Sequence, residues 1–173
     1  METHSLQKYG VLSRQYPLQS SCAFKNKPMN TSKRPRVGIG VFIIRDDQVL
    51  LGKRKNAHGA GAWSAPGGHL EYQETWAECA RREVWEETGL PITNIRFGAI
   101  TNDIFSEEQL HYITISMVAE YVAGEPKVLE PDKFEELRWF AWENLPQPCF
   151  VPLANLKKSG FNPFDIPKSY NNS

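Results

Sequence analysis

Arg82, Glu83, Glu86 and Glu87, with Glu74 a little upstream, form a set of charges whose types and spacing suit phosphate chemistry. On a helix, positions i, i+3 and i+4 share a face, so Glu83, Glu86 and Glu87 would stand within about 5–6 Å of one another. Like charges that close repel, and a cluster of three calls for a cation. Carboxylate oxygens are hard ligands that suit Mg2+, with Mn2+ as a substitute, and Mg2+ commonly sits between one or two carboxylates and the phosphates of a substrate. A guanidinium beside the cluster can grip one carboxylate with two hydrogen bonds and offset part of the negative charge. No Cys/His set competes for zinc. The plainer reading of the same residues is a solvated acidic helix face.

A helix must position these groups, and its limits are written locally. Thr75 followed by Glu78 makes a capping box, and Gly89 supplies the left-handed residue that ends many helices, so the helix is expected from Trp76 to Thr88. Ala77, Ala80 and Val84 give it an apolar side. Pro66, Gly67 and Gly68 stand just ahead of it.

The run GHLEYQETWAECARREVWEETGL, Gly68 to Leu90, matches every fixed position of the Nudix box, the signature of Nudix hydrolases. With about nine defined positions, that motif is far more specific than a lone glycine-rich fingerprint. The resemblance implies an α/β/α sandwich with a mixed central sheet, and Mg2+-dependent cleavage of a nucleoside diphosphate linked to another group. Carried over by position, Glu83 and Glu87 look like metal ligands, and Glu86 like a further ligand or the base that activates water. Arg82 and Glu74 resemble the supporting ion pair, and the Gly67 carbonyl resembles the family's backbone metal ligand. The reaction would then need no Ser or Cys nucleophile. Cys22 lies in the N-terminal segment, Cys79 is expected to face out of the helix, and Cys149 sits among prolines, all three as plain thiols.

Upstream, a strand is expected from Val37 to Ile44, a turn at Asp46-Asp47, and a second strand from Val49 to Gly52 that ends in Lys53, Arg54 and Lys55. Those cations read either as a phosphate clamp, with Arg54 the best single residue, or as a solvated face. His58 falls in a glycine-flanked loop. His69 follows Gly68 directly, and either contacts a phosphate or water or packs the loop. Downstream, strands are expected at Ile92–Thr101 and His111–Tyr121, the second alternating as a half-buried strand would. The acidic segment EPKVLEPDKFEEL follows, then an RWFAW strand and a short ENLP helix start. In related hydrolases a glutamate from this loop turns toward the metal or the water, and Glu135 is the positional candidate.

Outside the box, LGKRKNAHGAGAW, HYITISM and SGFNPF resemble a MutT-like subgroup that includes plant and vertebrate nucleotide-pool sanitisers. That subgroup implies hydrolysis of nucleoside triphosphates, notably oxidised purine nucleotides such as 8-oxo-dGTP, to monophosphate and pyrophosphate. Relatives commonly carry leucine before PGGH where this chain has Ala65, which would reshape a base pocket. Phe150 and Leu153 would line its far wall, or serve as core. The alternatives are another diphosphate, an isoprenoid diphosphate or a nucleotide sugar, and a non-catalytic nucleotide-binding protein, which the intact glutamates disfavour. A homodimer is the subgroup's habit, and no residue here carries that reading.

Composition suits one soluble domain, with 173 residues, 40% apolar and 23% charged. No apolar run approaches the roughly 20 residues that span a bilayer, so no membrane partner is expected. No basic stripe with interleaved aromatics marks a nucleic-acid reader either. Three cysteines argue against a disulfide framework and for a reducing, cytoplasmic setting. The zero net charge hides a split: residues 1–36 carry net +6, with seven Lys/Arg and one acid, and the rest carry net −6. Residues 1–34 read as a disordered basic extension, with a mitochondrial presequence as the sharper alternative. The expected organisation is a hydrolase domain at 35–166 and a flexible tail at 167–173.

Overall fold

In the computed structural model the described residues are 34–55 and 58–168, all within one unit, Lys33–Ser173. The expectations stated for residues 1–33, Cys22 among them, lie outside the described residues.

The chain begins with β1 (Arg36–Arg45), turns through Asp46 and Asp47, both at positive φ, and returns antiparallel as β2 (Gln48–Arg54). The short strands β3 (Trp63–Ser64) and β4 (Gly67–His69) follow, then α1 (Trp76–Thr88). The long pair β5 (Ile92–Phe105) and β6 (Leu110–Tyr121) comes next, then β7 (Phe134–Ala141) and α2 (Val151–Lys158). The ENLP start is a single 3-10 turn, Trp142–Asn144.

One mixed sheet joins the strands in the order β3-β2-β1-β6-β5, with β4 also paired to β1 and β7 to β2. Only the β1–β6 pairing is parallel among these. Strand alternation divides the core in two. Ile39, Val41 and Ile43 of β1 pack with Cys79, Ala80 and Val84 of α1. Phe42, Val49 and Leu51 pack with Leu153 and Leu156 of α2. A helix therefore covers each face, and the fold is the expected α/β/α sandwich with a mixed sheet. None of the described helices is long and apolar enough to cross a membrane.

Three expectations are corrected. Residues Thr114–Ala119 of β6 are buried without alternation, because the strand lies between β1 and β5 with a packed layer on both faces. Cys79 is fully buried rather than outward, since it stands one turn before Glu83 on the side that faces the sheet. β5 runs four residues past Thr101, where continued pairing with β6 extends it to Phe105.

Candidate metal and diphosphate site

Local capping fixes the phase of α1 and so decides which carboxylates point where. The Glu78 amide donates to Thr75 Oγ1 at 3.3 Å, and the Thr75 amide donates to Glu78 Oε2 at 2.8 Å. At the other end Gly89 takes φ 68° and donates to the Trp85 carbonyl at 2.9 Å. With the helix so framed, Glu83 and Glu87 are buried against β4, whereas the Glu86 side chain is about half exposed. Gly67 has φ 150°, and a Cβ there would run into the Ile39 carbonyl of β1. A Cβ at Gly68 would run into the Glu83 carboxylate. The two glycines let the chain lie directly on both the strand and the acid.

Arg82 ties three of the glutamates together. Its Nε donates to Glu74 Oε1 at 2.8 Å and its Nη2 to Glu74 Oε2 at 2.9 Å, a two-pronged grip. Nη1 donates to Glu83 Oε1 at 2.8 Å and to Glu86 Oε2 at 3.3 Å, and Nη2 reaches the His69 carbonyl at 3.3 Å. The Arg82 guanidinium holds the Glu74 carboxyl down at about 2. Glu74 is thus an anionic anchor across the whole working pH range.

The second cation is Lys133, a residue the sequence reading did not single out. Its Nζ donates to the Gly67 carbonyl at 2.9 Å, forms an ion pair with Glu87 Oε1, and lies 3.5 Å from Glu83 Oε2. The other Glu87 oxygen accepts from the Gly67 amide at 2.9 Å. Burial pushes the Glu87 carboxyl up to about 7, against the opposing pull of Lys133.

Among the described residues no three His, Cys, Asp or Glu side chains are grouped to hold a metal by themselves. The structure instead brings two carboxylates and one peptide carbonyl, from Glu83, Glu87 and Gly67, around a single cation. These are hard oxygen donors already arranged about a positive charge, and they fit Mg2+. Glu86 stands apart from them, on Arg82.

Beside this cradle a cavity of about 290 Å3 opens between the sheet and α2, and Gly67, Gly68 and Lys133 line it too. Its floor exists because β1 carries Gly38 and Gly40 on the α2 side; a Cβ at Gly40 would meet nothing within 4 Å. The repeat VGIGVF was a legible signal of that gap. Arg54, Ala65, His69, Phe150 and Leu153 all line the cavity, so the structure gathers all five proposed substrate contacts. The Arg54 guanidinium stacks 4.2 Å from the Phe150 ring centre, and its Nε donates to the His58 carbonyl at 2.9 Å. His69 Nε2 lies 3.1 Å from the Tyr112 hydroxyl.

His58, read only as a loop residue, packs edge-on against Phe105 at 4.2 Å and Phe150 at 5.2 Å, and forms part of the cavity wall. Burial pulls its pKa below the usual histidine range. Glu135 does not join the site. It lies in β7 rather than a loop, and its carboxylate pairs with Lys53 at 3.1 Å. Lys133, two residues earlier, occupies the place proposed for it.

A model of the NUDIX domain matches residues 34–158. The oxidized purine nucleoside triphosphate hydrolase of Danio rerio is 32% identical over 109 residues, covering 61% of this chain and 66% of that protein. The ADP-ribose pyrophosphatase of Methanocaldococcus jannaschii is 34% identical over 117 residues, covering 67% of this chain and 68% of that protein. The NAD-capped RNA hydrolase of Edwardsiella ictaluri is 33% identical over 109 residues, covering 63% of this chain, which spans only 40% of that protein's length. Among solved structures, a MutT NUDIX hydrolase from Burkholderia pseudomallei aligns with a TM-score of 0.69 at 36% identity, covering 73% of this chain and 98% of that one.

Proposed function

The chain belongs to the Nudix hydrolase family, and from that premise we propose that it is a Mg2+-dependent pyrophosphohydrolase of nucleoside triphosphates. The favoured substrate is an oxidised or normal purine deoxynucleotide such as 8-oxo-dGTP, cleaved to the monophosphate and pyrophosphate. The observation that carries this reading is the junction of the oxygen cradle with the cavity: Gly67 and Lys133 belong to both. A diphosphate held there would place its attached group between the sheet and α2. The cavity is at the lower end of the range for small-molecule sites, about 300–1,000 Å3, which suits one flat ring system better than a dinucleotide. The similarity to a hydrolase named for oxidised purine nucleotides points the same way.

A divalent cation in the cradle would neutralise phosphate oxygens and lower the pKa of a nearby water. Around it, Arg54 and Lys133 bind phosphate oxygens, and His58, Phe105 and Phe150 pack the base. Glu86, half exposed and oriented by Arg82, accepts the proton of the attacking water. Hydrolysis forms one P–O bond to water and breaks one P–O–P link, and pyrophosphate leaves. No covalent enzyme intermediate is needed. Burial pushes the Cys79 thiol up to about 12 and raises that of Cys149, which leaves both unsuited to attack.

A second reading has its own support. Among the described residues no Asp, Glu, Asn or Gln lines the cavity; apart from the cations and ring residues its polar side chains are the hydroxyls of Ser64, Thr114 and Ser116. Few groups there would read a base edge, which suits an isoprenoid diphosphate. The deciding experiment measures phosphate and pyrophosphate release with Mg2+ across normal and oxidised nucleoside triphosphates, nucleotide sugars and isoprenoid diphosphates. The first reading expects the highest kcat/KM on a purine triphosphate. Activity confined to isoprenoid diphosphates would replace it with the second.

A further inference from the structure

Lys133 sits on a backbone that is pinned on all sides. The Lys127 and Leu129 amides donate to the Thr88 and Glu87 carbonyls at 3.0 Å each, tying the segment to the end of α1. The Lys133 amide donates to Glu130 O at 2.9 Å, and the Lys55 amide donates to Lys133 O at 3.0 Å. The main chain is therefore fixed, whereas the side chain is a flexible four-carbon stem. Its ammonium rests against the Gly67 carbonyl, Glu87 and Glu83, the same three groups that suit a divalent cation.

We propose that Lys133 is a phosphate-binding residue whose resting place is the metal cradle, and that its ammonium and a divalent cation exclude one another there. The proposal rests on the reading of that cradle as a metal site. Two cations cannot share the same three oxygens at contact distance, so metal entry turns the ammonium out. Lys133 already lines the cavity with Arg54, which puts the expelled charge beside the substrate's phosphates. Two consequences follow from mass action. Without substrate the tethered ammonium competes with the metal and lowers its apparent affinity. A phosphate that accepts the expelled ammonium strengthens metal binding, and the metal strengthens phosphate binding by the same factor.

The test is Mn2+ binding to the full chain, followed by the electron paramagnetic resonance signal of unbound Mn2+, for the wild type, Lys133→Met and Lys133→Gln. Each titration is repeated at rising pH until the affinity stops changing, because removing Lys133 takes away a pull that holds the Glu87 carboxyl down. Without other ligands both variants are expected to bind Mn2+ about tenfold more tightly than the wild type. Added pyrophosphate should tighten Mn2+ binding several-fold more in the wild type than in either variant. Unchanged or weaker Mn2+ binding in both variants overturns the proposal. If the wild type and variants alike bind no Mn2+, the metal reading falls and takes this inference with it; equal, tight binding strikes the inference alone. A measurement on the wild type guards against misfolded variants. Reductive methylation read by mass spectrometry should label Lys133 several-fold faster with Mg2+ present, and a rate indifferent to Mg2+ would contradict the exchange.

Discussion

Glu87 is the residue at which burial and charge compete most directly: it is 0% exposed, accepts from the Gly67 amide, and forms an ion pair with Lys133. Its carboxyl, pushed up to about 7, binds a metal only when deprotonated, so protons and Mg2+ compete. The concentration of Mg2+ giving half-maximal rate is therefore expected to rise about tenfold per pH unit below about 7 and to level off above it. Titrating Mg2+ at a series of pH values checks this; a flat dependence would remove Glu87 from the metal. Arg54, stacked on Phe150 and lining the cavity, should act on binding. Arg54→Ala is expected to raise KM about tenfold or more while kcat changes little, as steady-state kinetics on the best substrate would reveal. At this scale the i, i+4 spacing of Glu83 and Glu87 was enough to place them on one helix face, and Arg82 came with the motif around them. Lys133 and His58 were not legible in the same way. Each reaches the site from a segment whose path depends on tertiary contacts, and nothing in EPDK or NAH announces it.

Among the elements, α1 emerged from the sequence with its boundaries intact, since capping box and left-handed glycine are local signals. α2, β3 and β4 did not. β3 has two residues and β4 three, and both exist through pairing with β2 and β1. α2 has only eight residues and a proline in its first turn, too short for a periodic signal. The contact of β4 with α1 gives a sharp prediction at this scale. Gly68→Ala places a methyl against the Glu83 carboxylate, and is expected to lower kcat at least about tenfold and to weaken metal binding. Far-UV circular dichroism should remain that of the wild type, because Gly68 is not at positive φ. Wild-type activity in this variant would show that Glu83 has no fixed place in the reaction.

Over the whole molecule, the sandwich uses its two faces differently. The α1 side is filled, whereas the α2 side is left open where β1 has glycine in place of larger residues. Gly40→Leu should fill that space: substrate KM rises about tenfold or more, and the melting temperature holds or increases, since the new side chain meets no neighbour within 4 Å at its Cβ. Unaltered kinetics would move the substrate out of this cavity. The acid cluster was legible in the sequence because it rests on helical spacing and local capping, whereas the fold class followed from the resemblance carried by the Gly68–Leu90 run. The cavity's shape was not, because it is assembled from β1, β6, α2 and the segment around His58. The central claim is the splitting of a nucleoside triphosphate beside Glu83 and Glu87, and phosphorus NMR of dGTP and 8-oxo-dGTP turnover in 18O-labelled water with Mg2+ tests it most directly. The expected spectrum contains the monophosphate and pyrophosphate, with one 18O in one of the two and a rate about 10^2–10^4-fold lower for Glu87→Gln at unchanged fold. Release of inorganic phosphate in place of pyrophosphate, or a Glu87→Gln enzyme as fast as the wild type, would contradict it.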